Sequence, residues 1–499
     1  MQDRGVTGQE AGSTSATETK TTNTQQAMGT DPSEGAGGYR IVILGGGPAG
    51  YEAALVAVEL GATVTLVERD GMGGACVLTD CVPSKTLIAT AELLTSVAGS
   101  GELGVACGAT SVEASRLNGR VRELAEAQSD DIRTRVVREG VEVLVGRGRL
   151  TGAHQVEVET ADGPTRTLDA EIVLLAVGAT PREIPGSEPD GERILSWRQL
   201  YELDALPEHL IVVGSGVTGA EFASAYRALG CAVTLVSSRE RVLPGEDADA
   251  AAVLEDVFSR RGITVLNKSR ADSVARTADG VAVTLTSGDV VEGSHVLIAV
   301  GSIPQTSGLG LEEAGIRLAK SGHIEVDRVS RTSVPGVYAA GDCTGVLPLA
   351  SVAAMQGRIA MWHALGEAVS PLRLSAVSAN VFTDPEIATV GVSQAQVESG
   401  TVAAEVVHLP LATNARAKME GLQDGFVKFF VRPGVGTVLG GVVVAPRASE
   451  LILPITMAVQ HSLTADQVAH TFAIYPSLSG SLTEAARQLM PHEDAALAG

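Results

Sequence analysis

Gly73-Gly74-Ala75-Cys76-Val77-Leu78-Thr79-Asp80-Cys81-Val82-Pro83-Ser84-Lys85 is the stretch from which the rest of the chain can be read. It holds two of only five cysteines in 499 residues, with four residues between them, so their clustering is not a composition effect. Zinc favours closer spacing and a second pair elsewhere, which the sequence lacks. A plain redox Cys-x-x-Cys has only two intervening residues. The stretch takes its meaning from its position, about one strand after a dinucleotide-binding unit.

That unit begins with the apolar run Arg40–Leu44, followed by Gly45, Gly47 and Gly50 in G-x-G-x-x-G spacing. The first glycine suits a tight turn, the second the close approach of a pyrophosphate, the third close packing of helix on strand. A helix Tyr51–Leu60, a stop at Gly61 and a strand Thr63–Val67 follow, and Glu68 stands 18 residues beyond Gly50, where a carboxylate accepts from both ribose hydroxyls of an adenosine. The pattern recurs as Leu210–Val213, then Gly214, Gly216 and Gly219, a helix Ala220–Leu229 and a strand Ala232–Val236. Here the strand runs into Ser237-Ser238-Arg239, with no acid where Glu68 stood. Ser and Arg donate to a 2′-phosphate that a carboxylate would repel, so the second nucleotide is expected to be NADPH, with NADH left open.

Gly-Gly-Ala-Cys, four residues, then Cys-Val-Pro-Ser-Lys in this position resembles the flavoprotein disulfide reductases, the family of dihydrolipoamide dehydrogenase and glutathione reductase. The resemblance runs from Tyr39 to about Met490 and implies an α/β fold: two Rossmann-like dinucleotide-binding domains plus a C-terminal α+β dimerisation domain. The expected organisation is a disordered tail over 1–38, an FAD-binding domain in two parts (39–186 and 307–372), an NAD(P)-binding domain (187–306) and an interface domain (373–490) that pairs two subunits. Ala176-Val177-Gly178 stands for the segment that closes the first domain near the flavin, although a core strand ending in a turn reads equally well. Gly301-Ser302-Ile303-Pro304 partly echoes it. Val337–Asp342 matches the second flavin segment, which places Asp342 on the ribitol chain, and Ala350 with the helix Ser351–Gly366 completes the site. Gly74 and Gly148 are carried with them as candidate cofactor contacts.

The same resemblance assigns the chemistry. Cys76 is the outer thiol and Cys81 the inner one, its thiolate favoured by the opening of a helix. Lys85 pairs with Glu221 near the reactive flavin nitrogen, the plain alternative being two unrelated surface charges. The family's partner subunit also contributes His-Pro-x-x-x-Glu, an acid–base pair for the thiol leaving group. Here Tyr475 and Gly480 occupy those two positions, and a phenol with a pKa of about 10 is a poor proton shuttle at neutral pH. Within the cysteine stretch, Leu78 replaces the usual Asn and Asp80 the usual Gly; a carboxylate beside Cys81 opposes its ionisation. Without that acid, FAD can still take hydride from NAD(P)H and pass electrons to an acceptor such as a quinone. The combination resembles the lipoamide-dehydrogenase-like NAD(P)H:quinone reductases. Dihydrolipoamide dehydrogenase and soluble transhydrogenase are the alternative enzymes, and a flavin-stabilised scaffold the alternative without catalysis.

Composition narrows the partners. A net charge of −22 and 3% aromatic residues argue against nucleic acid. No apolar run is long enough to span a bilayer, and residues 5–38 lack the basic start and apolar core of a signal peptide. With few, scattered further cysteines this fits a cytoplasmic protein, and the family resemblance implies a homodimer.

Overall fold

Both glycine motifs sit where a parallel strand gives way to a helix, and two sheets grow around those turns. The computed structural model describes residues 38–160 and 163–490, so the expected tail, up to residue 37, lies outside the described residues. The first unit runs β1 (Arg40–Leu44), helix α1 (Pro48–Glu59) and β2 (Thr63–Glu68). Pro48 opens α1, a place where its missing N–H costs nothing. The cysteine stretch then forms a short helix α2 (Gly74–Leu78) and the start of α3 (Cys81–Gly99), followed by α4 (Ala114–Arg138). Leu117, Val121 and Ala125 give α4 one buried face.

Next come β3 (Glu142–Gly152), β4 (Gln155–Thr160), β5 (Arg166–Asp169), β6 (Ile172–Leu175), β7 (Ala179–Pro181) and β8 (Ile194–Leu195). The second unit is β9 (His209–Val213), α5 (Val217–Ala228), β10 (Ala232–Val236), α6 (Ala248–Arg260), β11 (Thr264–Leu266), a meander β12 (Ala271–Arg276), β13 (Val281–Leu285) and β14 (Val290–Gly293), then β15 (His295–Ile298). The chain returns through β16 (Ser302–Pro304), β17 (Val337–Ala339) and α7 (Ala350–Ala364), and ends in β18 (Ser378–Val381), β19 (Glu386–Gly391), β20 (Glu405–Pro410), β21 (Phe426–Val431) and β22 (Val438–Ala445) with short helices after them.

The first sheet is ordered β17-β6-β1-β2-β3-β4-β5 and the second β11-β10-β9-β15-β8. In each, the strand before the glycines lies between two parallel neighbours, so its carboxyl end opens at a crevice. β7 and β16, the segments that echo one another in sequence, pair antiparallel and form the paired crossing between the two units. α1 and α7 pack tightly because Gly357 has no side chain: a Cβ there would stand 2.1 Å from the Ala49 carbonyl oxygen. The last sheet, β18-β19-β22-β21-β20, is antiparallel throughout, and β21 is buried along its whole length.

Three elements differ from the sequence expectations. α6 is absent from them, although Ala250, Ala251, Leu254, Val257 and Phe258 face the core at helical spacing behind an Asp247 cap. β20 is absent too, and it is an edge strand ending in Pro410, where weak alternation and a proline blur the signal. Thr264–Leu266 is the third: it pairs parallel to β10 and extends the second sheet.

Candidate active site

Glycine loop one is held from both sides. The Gly45 N–H donates to the Val67 carbonyl at 2.9 Å, and the Gly73 N–H of the cysteine stretch donates to the Gly46 carbonyl at 2.8 Å. Glu68 closes it: its carboxylate accepts from the Gly46 N–H at 2.5 Å and from the Arg69 and Asp70 N–H groups at 2.7 and 2.8 Å. The cysteine stretch is therefore seated on the loop, and a Cβ at Gly74 would lie 3.0 Å from the Gly47 Cα.

Cys76 and Cys81 stand as free, half-buried thiols on α2 and at the first position of α3. The hydrogen bond from Cys81 holds the Cys76 thiol below its ordinary pKa, against burial and the charges of Asp80 and Asp342. That same bond pushes Cys81 far up, with burial and the charges of Cys76 and Asp80 adding to it and only Lys85 opposing. Burial and the Asp80 charge oppose whatever favour the start of α3 lends a Cys81 thiolate. Asp80 occupies the N-cap position of α3 without capping it, and burial raises its carboxyl above the usual range.

Lys85 and Glu221 meet across 136 residues of sequence, Nζ to Oε2 at 2.9 Å, with the carboxylate almost wholly buried. The other Glu221 oxygen accepts from the Phe382 N–H at 2.8 Å, and the Lys85 ammonium lies 4.7 Å from the Phe382 ring centroid. Burial alone would lower the Lys85 pKa, but the charge and hydrogen bond of Glu221 outweigh it and leave it raised. The surface-charge alternative is excluded: α3, α5 and the segment after β18 converge on one ion pair with a buried carboxylate and a half-buried ammonium.

The second flavin segment lies beside the first. Ala339 pairs with Leu175, and the Ala340 N–H donates to the Leu175 carbonyl at 2.9 Å, which brings Asp342 next to Ala176-Val177-Gly178. Gly341, at φ +83°, is held by the Gln356 side chain at 2.9 Å. The Asp342 carboxyl is raised by burial and then by Asp80, with His323 opposing, so Asp342 and the cysteine stretch share one electrostatic environment. Ala350 begins α7, whose N-terminus carries no side-chain cap.

Residues 39–357 match the pyridine nucleotide-disulphide oxidoreductase family, and residues 377–486 match that family's dimerisation domain. The chain belongs to the pyridine nucleotide-disulphide oxidoreductases. Among its relatives in this family is a protein named NAD(P)H dehydrogenase (quinone) of Mycobacterium tuberculosis, 58% identical over 466 residues that cover 91% of this chain and 94% of that one. A dihydrolipoyl dehydrogenase of Chlorobaculum tepidum is 34% identical over 456 residues, 90% of this chain and 96% of its own. Among solved structures, LpdA of Mycobacterium tuberculosis superposes with a TM-score of 0.88 at 58% identity, covering 91% of this chain and 100% of that one. The HOCl-induced flavoprotein disulfide reductase RclA of Escherichia coli gives 0.81 at 25%, over 91% of this chain and 100% of its own.

The cofactors of this oxidoreductase family are FAD and NAD(P)H, and the two glycine loops fit two such nucleotides. In each loop the outer glycines are demanded by the protein's own backbone. A Cβ at Gly45 or Gly214 would lie 2.2 Å from a carbonyl oxygen, and one at Gly50 or Gly219 only 1.8 Å. The middle glycines are different: a Cβ at Gly47 would meet nothing nearer than 4.0 Å, and one at Gly216 nothing within 4 Å. No protein contact requires either to be bare, whereas a pyrophosphate drawn close to the backbone does. Gly178 and Gly301 are likewise open, at φ +67° and +96°. Gly148 is not, since a Cβ there would strike the Leu44 side chain at 2.4 Å, so strand packing accounts for it without a cofactor.

Ser237 and Arg239 part company. Ser237 is fully buried, its hydroxyl 2.7 Å from that of Ser215 and accepting from the Arg239 N–H at 3.1 Å, so it braces the turn. Ser238 and Arg239 are exposed beyond it and carry the open donors. Tyr475 lies far along the chain in the dimerisation domain, 84% exposed beside Phe472 and Ile474. Ser477 fixes that projecting turn, donating to the Ile474 carbonyl at 2.5 Å and accepting from the Gly480 N–H at 3.1 Å. Sequence reasoning also missed two side chains near Asp80: Arg198 and Tyr201, whose Nε and hydroxyl are buried without a hydrogen-bond partner.

Proposed function

We propose that this chain is an FAD-dependent NAD(P)H:quinone oxidoreductase working as a cytoplasmic homodimer. The reading rests on 58% identity to a protein named NAD(P)H dehydrogenase (quinone), against 34% to a dihydrolipoyl dehydrogenase, and is supported by the family resemblance, which aligns Tyr475 and Gly480 with the His and Glu of a disulfide reductase. Residues 39–186 and 307–372 hold FAD, 187–306 the nicotinamide nucleotide, and 373–490 the partner subunit. Among the described residues no helix is long and apolar enough to cross a membrane.

FAD, when bound, supplies a two-electron relay between nicotinamide and acceptor. The chain supplies the rest. Gly47 and Gly216 admit the two pyrophosphates, Glu68 receives an adenosine ribose, and Asp342 the ribitol chain. Arg239, with Ser238 beside it, offers donors to a 2′-phosphate. Lys85, fixed at 2.9 Å by a buried carboxylate, presents an oriented ammonium between the thiol pair and the second nucleotide unit. Net turnover takes one hydride from NAD(P)H and one proton from solvent and yields a hydroquinone, so no thiolate leaving group needs an acid. Cys76 and Cys81 are then retained as part of the flavin-binding helices rather than as the electron exit.

The test is an acceptor panel with NADPH and NADH, comparing a naphthoquinone with lipoamide. Turnover of lipoamide as fast as that of quinone would sink the proposal. The variant Tyr475→His/Gly480→Glu is expected to gain lipoamide activity.

A further inference from the structure

Among the described residues, the most deeply buried ammonium outside the site described above belongs to Lys428 on β21, 1% exposed. Its Nζ donates to both oxygens of Asp247 at 2.9 Å and to Asp249 Oδ2 at 2.7 Å. Asp247 is itself buried, and its Oδ1 also accepts from the Asp249 and Ala250 N–H groups at 3.0 and 3.2 Å, capping α6. One oxygen thus joins the antiparallel C-terminal sheet to the start of a helix in the second nucleotide unit. The neighbouring ion pairs between these regions, Arg260–Asp424 at 53% and 38% exposed and Arg261–Asp384 at 32% and 31%, are open to solvent and fix little.

Asp247 ends the segment that begins where β10 stops, residues 237–246, and that segment carries Ser237, Ser238 and Arg239. Along its length it is tied to the rest of the unit. The Lys268 N–H donates to the Arg239 carbonyl at 2.8 Å, the Val242 N–H to Glu255 at 2.7 Å, and the Leu243 N–H to the Ser215 carbonyl, inside the glycine loop, at 2.8 Å. Leu243 holds φ +50°, a left-handed conformation that a leucine keeps only when its surroundings impose it. Leu243 is buried in the core and its carbonyl accepts from the Glu246 N–H at 3.0 Å, one residue before the anchored Asp247. A buried ion pair often contributes no more stability than apolar residues of the same volume, so its use is better sought in the register it sets.

We propose that Lys428 is a positioning residue for the nicotinamide nucleotide: by anchoring Asp247 it holds segment 237–246, and through Leu243 the loop at Ser215, in the shape that binds the nucleotide. Affinity for the nicotinamide is thereby set from the C-terminal sheet. The inference rests on the reading of Gly214–Arg239 as the nicotinamide site.

The experiment measures the dissociation constant of NADP⁺ by calorimetry on the FAD-loaded full chain, together with flavin content, melting temperature, KM and kcat. Lys428→Met/Asp247→Asn removes both buried charges while Asn keeps the helix cap. It is expected to weaken NADP⁺ binding by about 10-fold and raise the KM for NADPH similarly, with kcat at saturation and flavin content unchanged. A folded double variant that binds NADP⁺ as the wild type does overturns the inference. Asp247→Asn alone, which leaves Lys428 its bond to Asp249, covers the case in which the double variant does not fold. It is expected to weaken binding by about 3-fold, and wild-type affinity there overturns the inference equally. Arg239→Ala separates the two layers. Unchanged NADP⁺ affinity in that variant overturns the reading of the segment and the inference with it, whereas weakened affinity beside an unaffected Lys428 variant overturns the inference alone.

Discussion

The two nucleotide units share a backbone and differ at one strand end. In both, the outer glycines are forced by carbonyl oxygens 1.8–2.2 Å from where a Cβ would stand, and the middle glycine faces open space. At the end of β2 the chain places Glu68, already receiving three backbone N–H groups. After β10 it places a buried Ser237 and an exposed Arg239. The first unit is also sealed by the cysteine stretch lying on its loop, while the second is tied to a separate sheet through Lys428. What is common to the two is the demand of a dinucleotide; what differs is the chemistry offered at the strand end.

The sharpest way to break the comparison is to fill the third glycine in each unit. Gly50→Val and Gly219→Val drive a side chain into the carbonyls of Gly45 and Gly214, and each is expected to destabilise its own unit by about 3 kcal/mol or more. Gly50→Val should yield protein without visible flavin absorbance. Gly219→Val should keep its flavin yet fail to be reduced by NADPH under anaerobic conditions. Equal flavin loss in both would mean that the units are not assigned as argued. Next in size is the bond between them. Lys85→Met leaves the Glu221 carboxylate buried and unpaired, at about 3–5 kcal/mol in urea unfolding, and Lys85→Met/Glu221→Gln should recover most of it. A single variant as stable as wild type would show that the pair contributes nothing across the interface.

A smaller effect separates the strand ends. Arg239→Ala is expected to lower affinity for NADPH by about 10- to 100-fold while leaving NADH nearly untouched, the value of a charge-assisted hydrogen bond to a 2′-phosphate. Equal loss for both nucleotides would make Arg239 a general phosphate contact instead.

Much of this was legible because it is written in short-range chemistry. Strand, glycines, helix and acid follow within 30 residues of Tyr39, and the two outer glycines are explained by carbonyl oxygens of the same unit. Lys85–Glu221 was legible only through family resemblance, since nothing local ties residues 136 apart. Ser237 was misjudged for a physical reason: a serine at a strand end reads as a ligand donor, and only the fold reveals that Ser215 occupies its hydroxyl. Lys428 was invisible for the opposite reason. A lysine among Phe426, Val427, Phe429 and Phe430 reads as the solvent side of an edge strand, and its carboxylate partners lie about 180 residues away, at separations of 181 and 179.

The mildest prediction concerns Asp80, which has no counterpart in the second unit. Its carboxyl is raised above the ordinary range by burial, more than Lys85 lowers it, so the folded chain binds that proton more tightly than the unfolded chain does. The sign follows. The stabilisation tied to the neutral acid is complete below the unfolded carboxyl value of about 3.9 and is lost as pH rises through the higher folded value. Above that folded value the wild type carries a charge at this position that Asp80→Asn does not. The variant should melt at a higher temperature than wild type near neutral pH, and the gap should narrow as pH falls toward the carboxylate range. Removing that charge also relieves one of the forces holding Cys81 protonated, so alkylation of the thiol pair at fixed pH should quicken modestly. A variant less stable than wild type at neutral pH would mean that Asp80 is held by a partner its surroundings do not supply, and the thiol pair would then need an electrostatic account without it.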